Sequence, residues 1–143
     1  MSLTDNDIAT VKAIWPKIAK VANEVGPESL ARMLCIYPQT KIYFSHWSDL
    51  SIQSTKVKEH GVVIMKGLSL AVEKINDMAN GLQDLSQKHA FQMRVDPANF
   101  RLLSQCIHVV LAKRFKAEYT PEVHLAMDKF LSNVALAIAE KYR

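Results

Sequence analysis

Residues 54–72 read STKVKEHGVVIMKGLSLAV. Val57, His60, Ile64, Leu68 and Val72 recur at spacings of three and four, which places them on one face of an α-helix. Lys56, Lys58, Glu59 and Lys66 fall on the other side. Ser54 is suited to cap the helix, because its hydroxyl can accept an N–H that the first turn leaves unpaired. His60 sits on the apolar stripe, where an unpartnered imidazole is costly. The stretch therefore predicts a long core-facing helix with one polar group that needs a partner.

The same period continues in both directions. Downstream, Gly81 separates this helix from a shorter one carrying Leu82, Leu85 and His89, with Met93 beyond its end. Asp96-Pro97 reads as a cap followed by a first-turn proline opening a helix to about Lys113, and Thr120-Pro121 repeats the device for a last helix ending near Tyr142. Upstream lies a polar loop, Ser48 to Thr55, after a short turn over residues 39–45. A second helix runs through Leu30, Met33, Leu34 and Tyr37, with Pro27 as its first-turn proline after Gly26 and Pro38 ending it. The first helix starts after Thr4, with Asp7 three residues on as a shortened capping box. Its stripe is Ile8, Val11, Ala13, Ile14, Trp15 and Ile18, and Pro16 is expected to bend or end it, having no N–H for the Lys12 carbonyl. Six clear helices and one or two short ones make a single all-α domain over 1–143.

Composition agrees. The chain has 143 residues, 49% hydrophobic and 22% charged, enough for one core and unlike a disordered chain. No apolar run reaches the ~18 residues of a membrane span. Met1-Ser2-Leu3-Thr4-Asp5 is polar and acidic, unlike a secretory signal, so a cytosolic location is expected and Cys35 and Cys106 read as two reduced, buried thiols. The net charge is +4, but the basic residues are scattered. The densest group, Lys113, Arg114 and Lys116, reads as a solvated helix end, so neither nucleic acid nor membrane is expected as a partner.

His60 and His89 stand on apolar stripes of separate helices, near Tyr43, Phe44, Trp47, Phe91 and Phe100. Flat side chains of this kind can wall a flat aromatic ligand, and neutral imidazole is a suitable axial donor for haem iron. One coordinating histidine and a second held just out of bonding range would leave a position open for a diatomic gas, which an N–H from the second ring would stabilise. The sequence has no H-E-x-x-H, C-x-x-C, C-x-x-C-H, G-x-S-x-G or P-loop motif. His46, His108 and His124 read as surface or half-buried groups. Three other readings stay open on this pattern: a monomeric storage protein, a haem enzyme acting on nitrite, nitric oxide or peroxide, and a haem-free helical interaction protein.

The segments YPQTKIYFSHW (37–47), VKEHG (57–61), LSQKHAFQMRVDPANFRLLSQC (85–106), EYTPEVH (118–124), DKFLSNVA (128–135) and the terminal KYR together resemble the globin family. Within it they are similar to the α-type haemoglobin chains of vertebrates, bony fish in particular. The resemblance spans nearly the whole chain. It implies the globin fold, seven to eight helices around a haem pocket, and reversible oxygen carriage without enzymatic turnover. It also implies haem b (iron protoporphyrin IX), with oxygen and carbon monoxide as ligands. By the same match His89 is the proximal iron ligand and His60 the distal histidine. Tyr43, Phe44, His46, Trp47, Val63, Ile64, Leu68, Leu85, Lys88, Met93, Val95, Asn99, Phe100, Leu103 and Ile138 fall on haem-lining positions. The resemblance further implies an α2β2 tetramer with β-type chains in the cytoplasm of red blood cells. Tyr43, Arg94, Asp96 and Asn99 would lie on its sliding interface. Tyr142 and Arg143 form the C-terminal pair, with Asp128 and Lys129 where that arginine finds partners. This chain departs from its relatives at Ile64, where valine is common, at Val62 and Val63 in place of a basic pair, at Lys88 in place of leucine, and at Lys116 in place of proline.

Overall fold

Thr4 opens the first helix with reciprocal bonds. Its Oγ1 accepts from the Asp7 N–H at 3.0 Å and Asp7 Oδ2 accepts from the Thr4 N–H at 2.9 Å, so the short aspartate closes a full capping box. The computed structural model describes residues 2–88 and 96–139. Among them are seven α-helices, two 3-10 turns and no strand: α1 (Asp5–Lys20), α2 (Ala22–Ile36), η1 (Pro38–Phe44), α3 (Thr55–Glu73), α4 (Met78–Gly81), α5 (Gln83–Gln87), α6 (Ala98–Phe115), η2 (Lys116–Glu118) and α7 (Pro121–Ala139). The all-α expectation holds.

The Pro27 expectation does not, and Pro16 does not end its helix. α1 continues through Pro16 to Lys20. The lost hydrogen bond is offset because Val11, Ile14, Trp15 and Ile18 are buried on both sides of it, while Pro16 itself stays at the surface. α2 begins five residues before Pro27, directly after Val21, whose carbonyl accepts from the N–H groups of Glu24 and Val25. Gly26 and Pro27 are thus inside α2, at the point where it crosses α3. A Cβ on Gly26 would collide with the Gly61 carbonyl, and one on Gly61 would collide with the Pro27 backbone. Two glycines face each other because the two backbones touch.

Two of the other start signals act as read. Ser54 Oγ accepts from the Val57 N–H at 3.3 Å at the head of α3, and Thr120 Oγ1 accepts from the Val123 N–H at 3.2 Å at the head of α7. The Asp96-Pro97 signal is displaced by one residue: Pro97 is the N-cap of α6, without a side-chain cap, and Asp96, just before the helix proper, accepts at Oδ1 from the Ala98 N–H. α2 packs mainly on α3 and α6, and α1 on α7. One core cluster joins α1, α3, α6 and α7 through Val11, Ile18, Met65, Val110, Met127 and Phe130; a second joins α2, α3 and α6 through Leu30, Met33, Leu34, Val57 and Cys106. Trp15 meets Phe130 edge-on, with ring centroids 6.2 Å apart, and donates to Ser69 Oγ at 3.1 Å.

Cys106 is buried, as expected, but Cys35 is exposed, because it lies on the outer side of α2. The basic group at the end of α6 is not simply solvated. Lys113 and Arg114 reach Glu28 at 2.9 and 3.4 Å, and Arg114 reaches Glu24 at 3.6 Å, tying α6 to α2.

Candidate haem pocket

α3 presents His60, Ile64 and Leu68 in successive turns of one face, and its neighbour Gly61 is the backbone contact with α2. The depth of His60 is therefore set by two glycines that let α3 approach. The loop before α3 brings Phe44 and Trp47 against this face. The His60 ring lies 5.4 Å from Phe44 and 5.7 Å from Trp47, edge-on to both, while Phe44 and Trp47 lie 4.8 Å apart. His46, exposed, packs its ring 5.5 Å from Trp47 on the rim. At the other end of the face, Leu85 of α5 approaches Gly67.

α5 is too short to persist alone. It is held by buried Leu82 just before it and by Ser86, whose hydroxyl donates to the Ile138 carbonyl of α7 at 2.6 Å. That anchor places Leu85 opposite α3. It also places Ile138, buried in the core, beside α5. Ile64 and Leu103 pack against both core clusters, and Phe100 and Leu85 pack against the first of them. These side chains, with Phe44 and Trp47, are half-buried.

Tyr43 joins η1 to the start of α6. Its hydroxyl oxygen accepts from the Asp96 backbone N–H at 3.1 Å and from Asn99 Nδ2 at 3.0 Å. Tyr43, Asp96 and Asn99, drawn from separate parts of the sequence, thus form one cluster. Lys129, expected beside Asp128 as a partner of the terminal arginine, has its ammonium 3.0 Å from Asp7 Oδ2. The Thr4 N–H, and after it that ion pair, hold the Asp7 carboxyl below its ordinary range. Val63 is 54% exposed, the least enclosed of the expected lining residues on α3, and Lys88 is exposed at the end of α5. His89, Phe91, Met93, Arg94, Val95, Tyr142 and Arg143 lie outside the described residues. Sequence reading did not single out Gly61 or Ser86 as supports of the pocket. The only cue to either was a small residue on an otherwise apolar face.

The donor set suits a flat, hydrophobic, metal-centred group. Aliphatic side chains from α3, α5 and α6 and two aromatic rings supply apolar contact, and one imidazole supplies a polar handle on the α3 side. Among the described residues no group of three or more His, Cys, Asp or Glu is placed to hold a bare metal ion. A metal carried within its own macrocycle needs no such group.

The globin family pattern matches residues 27–138, and the chain belongs to the globin family. Within it, the chain is an α-type globin, similar over its length to α subunits of fish haemoglobins. It is 59% identical to "Hemoglobin subunit alpha" of Chelidonichthys kumu over 99% of this chain and 100% of that one. It is 59% identical to "Hemoglobin subunit alpha-2" of Anarhichas minor over the whole of both. The same comparison with "Hemoglobin subunit alpha" of Thunnus thynnus gives 58% over 99% of each.

Proposed function

We infer that this chain carries oxygen reversibly as the α subunit of a haemoglobin, a transport protein and not an enzyme. The observation that carries this reading is the seat of His60. It is an imidazole on an apolar helix face, buttressed by Phe44 and Trp47 and followed by Ile64 and Leu68. The group that fits is haem b, which supplies an iron atom that binds the gas. His89 is the proposed iron ligand.

The protein's own part follows from the residues. A neutral imidazole donates from one nitrogen and accepts at the other. Phe44 and Trp47 restrict the His60 ring, so its N–H is held on the α3 side of the pocket. Ile64, one turn on, narrows the same space. Leu68, Leu85, Phe100 and Leu103 exclude water, which protects ferrous iron from losing an electron. Lys88 and His46, at exposed positions, suit the propionate edge.

The proposed partners are β-type globin chains in an α2β2 tetramer, and the proposed location is the cytoplasm of red blood cells. No helix among the described residues is long and apolar enough to cross a membrane. Tyr43, Asp96 and Asn99, already bonded to one another, suit a subunit boundary, as do the proposed Arg94, Tyr142 and Arg143 with Asp128 and Lys129. An absorption spectrum of the reduced protein, before and after carbon monoxide and oxygen, tests the reading. A haem spectrum that shifts with each gas, and that His89→Gly abolishes or changes to a different ligation, supports it. No haem band after reconstitution overturns it. Sedimentation of a mixture with β chains tests the tetramer, which is refuted if the mass stays at that of single chains.

A further inference from the structure

Outside the haem pocket, four polar rings and groups meet where α6, η2 and α7 join. His108 of α6 is only 11% exposed in its side chain. Its Nδ1 lies 2.7 Å from the Tyr119 hydroxyl and its Nε2 lies 3.2 Å from Asp128 Oδ1. The His124 ring stands 4.6 Å from that of His108 and 5.5 Å from that of Tyr119. We propose that His108, bridging the Tyr119 hydroxyl and the Asp128 carboxylate, is a proton-operated latch on the α6–α7 seam that acid opens.

The neutral state satisfies every atom. Tyr119, buried, donates its O–H to Nδ1, and Nε2–H donates to the Asp128 carboxylate, so one imidazole ties η2 and α7 to α6. Protonation puts a hydrogen on Nδ1. The Tyr119 hydroxyl must then turn from donor to acceptor, and its own proton loses a partner in a buried place. The charged ring also stands 4.6 Å from that of His124, whose positive charge opposes one on His108.

The charged and titratable groups around His108 are few. From α7 they are His124 and Asp128, and from the turn after η2, Tyr119. α2, also packed on α6, brings Arg32, whose charge acts on the Cys106 thiol. Burial and His124 together hold the His108 pKa below its ordinary value against the pull of Asp128. A histidine whose folded pKa is lowered binds fewer protons folded than unfolded. The seam is therefore tightest above pH ~6.5, the ordinary histidine value, and loosens as acid charges the ring.

The test is a histidine NMR titration of the haem-loaded, carbonmonoxy protein, with amide exchange measured at the Tyr119 turn. His124→Gln, at an exposed position, leaves the fold intact and raises the His108 midpoint by removing a like charge. Tyr119→Phe raises it by removing the bond to the neutral ring, and Asp128→Asn lowers it. Exchange around Tyr119 speeds up in acid in the parent and loses that pH dependence in His108→Gln. A His108 midpoint at the ordinary value, unmoved by His124→Gln and Tyr119→Phe, overturns the proposal. A Tyr119 turn whose exchange ignores pH overturns the latch.

Discussion

Replacing Gly61 by alanine is expected to unseat α3 from α2, while the same change at Gly67, less than two turns along the same helix, is expected to be harmless. The geometry separates them. A Cβ on Gly61 would stand 2.6 Å from Pro27 Cα and 2.7 Å from the Gly26 carbonyl carbon. Carbon atoms prefer ~3.5–4.0 Å, so the helices must part by about 1 Å. Both neighbours are backbone, and neither can rotate away. A Cβ on Gly67 meets only Leu85 Cδ2, at 3.6 Å, an ordinary contact. Overpacking a rigid contact typically costs ~1–3 kcal/mol. Parting the helices also loosens Val57, Met65 and Leu30 in the core. We expect Gly61→Ala to lose about 3 kcal/mol, the upper end of that range. That corresponds to roughly a 10 °C fall in Tm for a chain of this size. Gly67→Ala should instead gain up to ~1 kcal/mol from the stiffer helix backbone. The assay is thermal unfolding of the carbonmonoxy protein by circular dichroism at equal haem occupancy, because bound haem raises apparent stability. Two variants melting within about 2 °C of each other, a difference of under ~1 kcal/mol, would refute the close-approach argument.

Three other outcomes are expected. Thr4→Ala removes one half of the capping box and should cost about 1 kcal/mol in denaturant unfolding. The lowered Asp7 pKa, set by Thr4 and Lys129, makes the box a source of stability above the unfolded carboxylate pKa. That stability is lost as pH falls through the folded value, so the deficit of Asp7→Asn, which loses the carboxylate, should shrink in acid. Lys116 has φ 49°, a left-handed conformation that strains a side chain. Lys116→Gly should therefore raise stability by about 1 kcal/mol, and a loss on calorimetry would count against it. Trp47→Leu should free the His60 ring and add a second C–O stretching band in the infrared spectrum of the carbonmonoxy protein. Trp47→Phe should keep the single band, and two identical spectra would deny Trp47 any hold on His60.

His60 was legible because a helix repeats every few residues, so an imidazole on an apolar stripe shows in the letters alone. Phe44 and Trp47 were legible as nearby aromatics, but their edge-on contact with His60 was not, since nothing local sets the path of residues 45–54. Val63 shares a helix with Ile64, yet it is 54% exposed. About 100° of rotation per residue separates the exposure of two neighbours on one helix. His108 gave no signal, because its partners stand 11 and 20 residues away. The proline signals at Pro16 and Pro27 misled for a related reason. A missing N–H is a local cost, and burial of Ile14, Trp15, Ile18 and Val25 by distant helices outweighs it.

Capping, periodicity and composition act over about one helical turn, and they were enough to establish an all-α chain, the heads of α1, α3 and α7, and an apolar face bearing His60. Contacts between segments far apart in the chain decided the rest. Gly26 meets Gly61, Ser86 anchors on the Ile138 carbonyl 52 residues away, and Lys129 closes on Asp7 at the other end of the chain. Each is a meeting of short-range forces that only the packed helices bring within reach, so no single segment encodes it.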